Sequence, residues 1–260
     1  MTPETEKGRP VIAVWFSCGA ASAAAAALTL RKYGETCDVR ILNNPILEEG
    51  EDNQRFLRDV SAWLNHPIEH VINPSFPNCS TREVWEREKA MVFPWGAPCT
   101  RALKKNARQI WEKTNPVDYI VLGFTYEEKR RHERFILTER SNVIPVLIDA
   151  KMTKQDCLDF IAREAGIELP DSYRDGLPNA NCRKSGCVKA TSPTYWNHLR
   201  KIEPQGFAET AEQSRRLGAR LVRYQGRRVF LDELPPDARG RPLKSLVAPD
   251  CGIFCEEKPS

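Results

Sequence analysis

Ser17-Cys-Gly-Ala-Ala-Ser22 is a run of small and hydroxyl-bearing residues between an apolar segment, 11–16, and an alanine run that reaches Leu30. The pattern predicts a strand, a tight turn and a helix N-terminus. Backbone N–H groups in such a turn approach an anion unhindered, and the helix dipole favours negative charge there. The implied chemistry is the cradling of a phosphate or sulfate by Ser17, Cys18, Gly19, Ala20 and Ser22, with both hydroxyls as added donors. The same small residues also suit a plain strand-to-helix connection, and the turn alone does not choose. It lacks the Lys of a G-x-x-x-x-G-K-[ST] loop and the spacing of G-x-G-x-x-G.

The cysteines are the second chemical signal. There are nine in 260 residues. The N-terminal stretch lacks the apolar core of a signal peptide, and no apolar run reaches the roughly 20 residues that span a bilayer. A soluble, cytoplasmic protein with no membrane partner is expected. In a reducing compartment, cysteines point to metal or redox chemistry before a disulfide framework. Cys37, Cys79 and Cys157 stand alone and read as small buried fillers. Cys99, Cys182, Cys187, Cys251 and Cys255 lie in Pro/Gly/Asn-rich, loop-like contexts. The Cys182/Cys187 and Cys251/Cys255 spacings suit Zn²⁺ or a 4Fe–4S cluster, and spacing does not decide between them. Loop thiols without metal are the alternative. Arg183, Lys184 and Lys189 would lower thiol pKa values and suit an anionic site. Cys251, between Pro249-Asp250 and Gly252, reads as either a ligand or a thiolate nucleophile.

These residues need a frame. Strand-like runs at 11–17, 38–43, 68–72, 119–123 and 143–148 alternate with helical segments at 20–33, 53–64, 81–91, 100–113 and 154–164. Apolar, β-branched strands separated by helices imply a mostly parallel, five-stranded, doubly wound α/β sheet covered on both faces. Thr153 is an expected N-cap and Gly166 an expected C-cap. After Pro170 the composition turns rich in Pro, Gly, Asn and Ser. One helix at 193–217 and a β element at 228–234 follow. The expected division is a nucleotide-binding domain, 1–168, and a C-terminal cysteine-containing appendage, 169–260, too poor in core residues to stand alone.

Ligands of open parallel sheets bind at the carboxyl ends of the strands. The segment Gly123-Phe-Thr-Tyr-Glu-Glu-Lys-Arg-Arg131 follows the fourth strand there. Glu127, Arg130 and Arg131 then share a rim with the opening turn. Two arginines facing a pyrophosphate, and a carboxylate for Mg²⁺ or a hydroxyl, make sensible chemistry; an exposed charged helix start is the bland reading. Net charge is only +4, too mild to argue nucleic-acid binding. The clusters 129–131, 215–216 and 227–228 read first as solvated faces.

Five motifs in order resemble one family. Phe16–Ser22 is similar to a degenerate S-G-G-x-D-S pyrophosphate loop. Pro98-Cys-Thr-Arg-Ala-Leu-Lys104 resembles the C-T-x-x-L-K segment of the phosphoadenylyl-sulfate (PAPS) reductase family, and Gly123–Arg134 its G-x-x-x-x-E-x-x-R segment. Leu169-Pro170, Tyr173, Gly176, Asn181-Cys182 and Gly186-Cys187 resemble its cysteine-bearing segment, and Asp250–Phe254 its E-C-G-L-H tail. The form looks closest to PAPS reductase-like proteins of phages and mobile elements.

The resemblance implies an adenine nucleotide α-hydrolase-like fold. It implies binding of ATP, APS or PAPS, with Arg101, Lys104, Arg130 and Arg131 neutralising phosphate or sulfate. It also implies a 4Fe–4S cluster, with Cys99, Cys182, Cys187 and Cys255 as ligands and zinc as the rival. Cys251 would be the catalytic thiol. One outcome is a PAPS or APS reductase served by a thiol reductant; another is a tRNA- or DNA-modifying sulfurtransferase fed by a sulfur donor protein. A zinc-stapled, non-catalytic nucleotide-binding protein is the third. Departures exist. No Asp stands between Ser17 and Ser22, Cys18 replaces a glycine, and Phe254 stands where the reductases carry His.

Overall fold

The alternation of buried residues along the strands decides the architecture. In β1, Val11–Trp15, Ile12 and Val14 join one apolar cluster while Ala13 and Trp15 join another. Successive side chains of a strand point to opposite faces, so both faces must be covered. A computed structural model, which describes residues 8–180 and 182–243, has such a sheet. Its strands are β1, β2 (Asp38–Asn43), β3 (Ile68–His70), β4 (Tyr119–Val121) and β5 (Val143–Ile144). All five are parallel, in the order β3-β2-β1-β4-β5. The chain runs outward from β1 to β3, then restarts at β4 on the other side of β1. The β1/β4 boundary is the topological switch point, the place where open α/β sheets bind their ligands.

Helices cover the two faces. α1, Ala20–Tyr33, lies on one with α2, Asp52–Leu64. Ala20 and Ala23–Ala27 are fully buried there; with only a methyl each, they let the helix axis approach the strands closely. α3, Thr81–Glu88, is capped by Ser80 and ends at Lys89, which adopts a left-handed conformation. The segment expected to begin at 100 starts earlier, with α4, Pro98–Thr100. It passes through a π-helical turn, Arg101–Lys105, into α5, Asn106–Glu112. α5 and α6, Lys129–Thr138, cover the second face with Ala107 and Phe135.

The expected fifth strand at 143–148 is shortened. Pro145 supplies no ladder N–H, and the chain turns at once into α7, Val146–Asp149. α8, Lys154–Phe160, carries the expected Thr153 cap as a full capping box, and Gly166 ends the following turn at φ +61°. After the short α9, Asp171–Arg174, the single expected helix at 193–217 is two: α10, Pro193–Ile202, and α11, Pro204–Arg216. A proline inside a helix breaks the hydrogen-bond ladder but is welcome in the first turn, so Glu203-Pro204 divides them. Of the β element expected at 228–234 only the start is strand: β7 (Arg227–Val229) pairs with β6 (Val222–Tyr224) in a hairpin, and a 3₁₀ turn at Leu231–Glu233 follows.

The C-terminal region does not own its core. Trp196, Leu199, Phe207, Leu221 and Leu231 pack in one cluster with Val84, Trp85, Met91, Ala102 and Leu103 from the first region. Among the described residues no helix is long and apolar enough to cross a membrane.

Candidate anion site at the sheet switch point

β1 ends at Trp15, and the next seven residues build the turn. The Ser17 N–H donates to Ser22 Oγ at 3.1 Å, and Ser22 Oγ donates to the Gly19 carbonyl at 2.9 Å. The Ser22 hydroxyl is thereby spent on closing the turn, while Ser17 stays exposed. Gly19 precedes α1 in an extended conformation and caps it with no side chain, which leaves the helix-start N–H groups to outside acceptors. One acceptor is the Tyr173 hydroxyl, 3.3 Å from the Ala20 nitrogen. An oxygen thus already sits at the N-terminus of α1.

Gly123 closes the turn from the β4 side. A Cβ there would stand 3.0 Å from the Ser22 nitrogen and 3.2–3.3 Å from backbone carbons of Ala21 and Ser22. Only glycine permits this approach without moving the turn. The switch point therefore holds two of the segments singled out from sequence, in direct backbone contact.

The rest of the 123–131 segment is engaged locally. Thr125 and Glu128 cap the 3₁₀ turn Tyr126–Glu128 that leads into α6. Glu127, while exposed, accepts the Lys154 N–H at 3.1 Å and so ties this segment to α8. Arg131 donates to Glu128 at 2.6 Å and lies over the Phe124 ring. Arg130 is exposed. Arg101 is also exposed and donates to Glu88 at 2.8 Å.

Beneath the turn lies a buried polar cluster that the motifs did not announce. Cys18 adopts φ +56° and is buried. Burial pushes its thiol well above the ordinary range; Glu49 nearby pushes it further, while Lys104 and a hydrogen bond from Asn43 oppose the shift. Asn43, at the end of β2, donates to the Phe16 carbonyl at 2.8 Å and lies 3.6 Å from the Cys18 sulfur. Lys104 Nζ and Glu49 Oε1 are 3.8 Å apart. The π-helical turn places Lys104 inward although Arg101, three residues earlier, faces solvent; such turns recur where helices serve function. Glu48 caps α3, accepting from Ser80 Oγ at 2.6 Å and the Thr81 N–H at 2.7 Å. The signal for Glu48 and Glu49 was a pair of acids in the loop after a strand, a position that the topology carries to the same strand-end rim.

Of the cysteines, Cys99 and Cys182 are buried in one apolar cluster and Cys187 packs against it. Three of the four expected ligands thus belong to one extended apolar cluster, which sets no distance between their thiols. Cys251 and Cys255 lie outside the described residues, as does Asn181. Among the described residues, no group of three or more His, Cys, Asp and Glu side chains is arranged to hold a metal. The flanking cations differ. Arg183 pairs with Asp175 and Glu203, and Lys184 with Glu51. Lys189 Nζ is buried with no hydrogen-bond partner among the described residues, which favours an anion beside it. Cys37 is half-buried; Cys79 and Cys157 are buried, and burial raises the Cys157 thiol to about 12.

The fold and site define an α/β protein with a small-residue turn at the switch point of a parallel sheet. No protein-family model and no curated protein matches the chain.

Proposed function

We propose that this chain is an enzyme of sulfur chemistry that binds an adenine nucleotide at Ser17–Ser22, in the manner of the PAPS reductase-like proteins it resembles. The carrying observation is the switch-point turn itself. Its helix start bears no side-chain cap, Gly123 packs against its backbone, and the buried ammonium of Lys104 lies below. Strand order and turn position support the finer fold reading, an adenine nucleotide α-hydrolase-like domain. Helix N–H groups with a buried cation stabilise phosphoryl or sulfuryl oxygens without requiring a general base. With no Asp in the turn, the substrate read is an already activated nucleotide, APS or PAPS, rather than ATP to be cleaved.

In this reading Arg130 and Arg101 neutralise outer oxyanions at the rim. Mg²⁺ is not required by the turn but has carboxylates within the segment, Glu127 among them. The Cys251 thiolate attacks the activated sulfur, the sulfur–oxygen bond breaks with departure of the nucleotide, and a thiol reductant releases sulfite from Cys251. Cys99, Cys182, Cys187 and Cys255 are the residues that would hold a 4Fe–4S cluster, which would tune the electrostatics and redox behaviour of the site. Zinc in the same place would supply structure alone.

The test is anaerobic purification followed by metal analysis, then turnover of ATP, APS and PAPS with pyrophosphate, nucleotide and sulfite readouts. About four irons, absorbance near 400 nm and sulfite release are expected. Stoichiometric zinc with no binding of any of the three nucleotides would overturn the reading. Nucleotide-dependent modification of tRNA or DNA without sulfite would assign the sulfurtransferase instead.

A further inference from the structure

The formal charge of +4 is not spread evenly along the chain. Residues 220–228, Arg-Leu-Val-Arg-Tyr-Gln-Gly-Arg-Arg, hold four arginines and no acid. They form most of the β6–β7 hairpin and its approach. Gln225 and Gly226, at φ +48° and +77°, turn the hairpin in two residues, a geometry that matches the twist of the strands. Val222 and Val229 face each other and are buried. Successive side chains of a strand alternate between faces, so the next pair, Arg223 opposite Arg228, is turned away from the core. Both are exposed, as are Arg220 and Arg227. Arg228 is braced by a 2.6 Å hydrogen bond to the Leu221 carbonyl, and Arg220 lies over the Phe230 ring.

Like charges directly opposite one another on a sheet cost stability. The neighbouring arginines are neutralised: Arg215 pairs with Asp232 and Glu233, and Arg216 with Glu86 and Glu212. The four hairpin arginines are not. Among the described residues none of them has a carboxylate within ion-pair distance, and the acids that follow β7 are either taken by Arg215 or, like exposed Asp237, pair with none of the four. Burial and the facing Arg223 hold the Arg228 guanidinium below its ordinary pKa. An anion laid across the pair relieves that repulsion.

We propose that the outer face of the β6–β7 hairpin, with Arg220, Arg223, Arg227 and Arg228, binds the phosphate backbone of duplex DNA. The cations are all arginine, whose planar fork takes two oxygens of one phosphate where lysine offers a point charge. Their carrier is a two-stranded ribbon, which the major groove of B-form DNA admits and the deep, narrow groove of A-form RNA does not. Contacts to phosphate fix position on the duplex without reading its sequence. The hairpin is tied to the cysteine-bearing segment, because the Arg223 N–H donates to the Thr191 carbonyl at 2.9 Å. DNA on this face therefore passes beside the chain that continues from Cys187. Its binding does not depend on a nucleotide at Ser17–Ser22.

The experiment is fluorescence anisotropy of a labelled, mixed-sequence DNA duplex of about 20 base pairs, titrated with the full chain from about 50 to 200 mM salt. A plot of log K against log salt should fall with a slope between about −3 and −4, which is about −0.9 for each of four phosphates. Arg223→Gln with Arg228→Gln removes two of these contacts together with their mutual repulsion. That double variant should make the slope shallower by about two, weaken binding at least about tenfold and melt no lower than the natural chain. Arg58→Gln with Arg163→Gln removes the same charge from α2 and from the turn after α8, and should change affinity less than about twofold. No binding by the natural chain at the lowest salt, equal losses from the two double variants, or tighter binding of an RNA duplex of the same sequence overturns the inference. The salt series and the RNA comparison on the natural chain stand even if a variant fails to fold.

Discussion

The opening turn and the cysteine-bearing segment are held in place by opposite means. The turn is short and local: residues 16–19 link a buried strand to a buried helix, and the sheet sets both ends. The segment 182–190 contains no strand or helix. It is positioned by a core shared with α3, α4, α10 and α11, elements far apart in sequence. The turn can therefore be altered while the fold survives. The cysteine segment should lose its geometry only when packing around it fails. Substitutions that separate binding from stability test this contrast.

The largest effect is expected at Gly206. A Cβ there would lie 1.9 Å from the Lys184 carbonyl, so α11 and the chain beside Cys182 cannot keep their contact. Gly206→Ala should cost about 3 kcal/mol of stability by overpacking, lower the melting temperature and release any bound metal. An unchanged melting curve would refute the close packing of α11 on this segment. Gly123→Ala comes next, with its clash confined to the turn backbone. Its stability loss should be smaller, about 1 kcal/mol, but nucleotide affinity should fall about tenfold by calorimetry. Equal losses from both substitutions in both assays would erase the contrast.

Tyr173 joins the two regions, since its hydroxyl crosses from α9 to the start of α1. If that hydroxyl occupies a position an anion needs, Tyr173→Phe should tighten nucleotide binding two- to fivefold, about the worth of one net hydrogen bond. Weaker binding would make the hydroxyl a ligand contact instead. The smallest effect is chemical. With Cys18 and Cys157 buried and their thiols raised, the latter to about 12, neither should alkylate at pH 8 while half-buried Cys37 reacts. Peptide mass mapping after brief iodoacetamide treatment checks this, and denaturant should equalise all three.

Much of the frame was legible in the residues. The strand at 38–43 and the helix at 20–33 appear with the expected bounds, because β-branched alternation and an alanine run each have a single good solution. Thr153 and Gly166 marked their helix ends through local chemistry. Pro145 and Pro204 marked breaks that hydrophobic periodicity alone passed over. The turn, Gly123 and the family-like order of motifs were visible for the same local reason: their types and spacing stand within a few residues of one another.

The sequence by itself determined a parallel α/β sheet, a small-residue turn after its first strand and the order of the chemistry-bearing segments. Tertiary structure alone decided that Gly123 touches that turn, that Lys104 faces inward while Arg101 faces out, and that Glu49 lies beside Lys104 under Cys18. The physical reason is range. Periodicity and caps are properties of neighbouring residues, whereas burial of an ion pair depends on where separate loops meet at the ends of β1, β2 and β4, and no local pattern carries that meeting point.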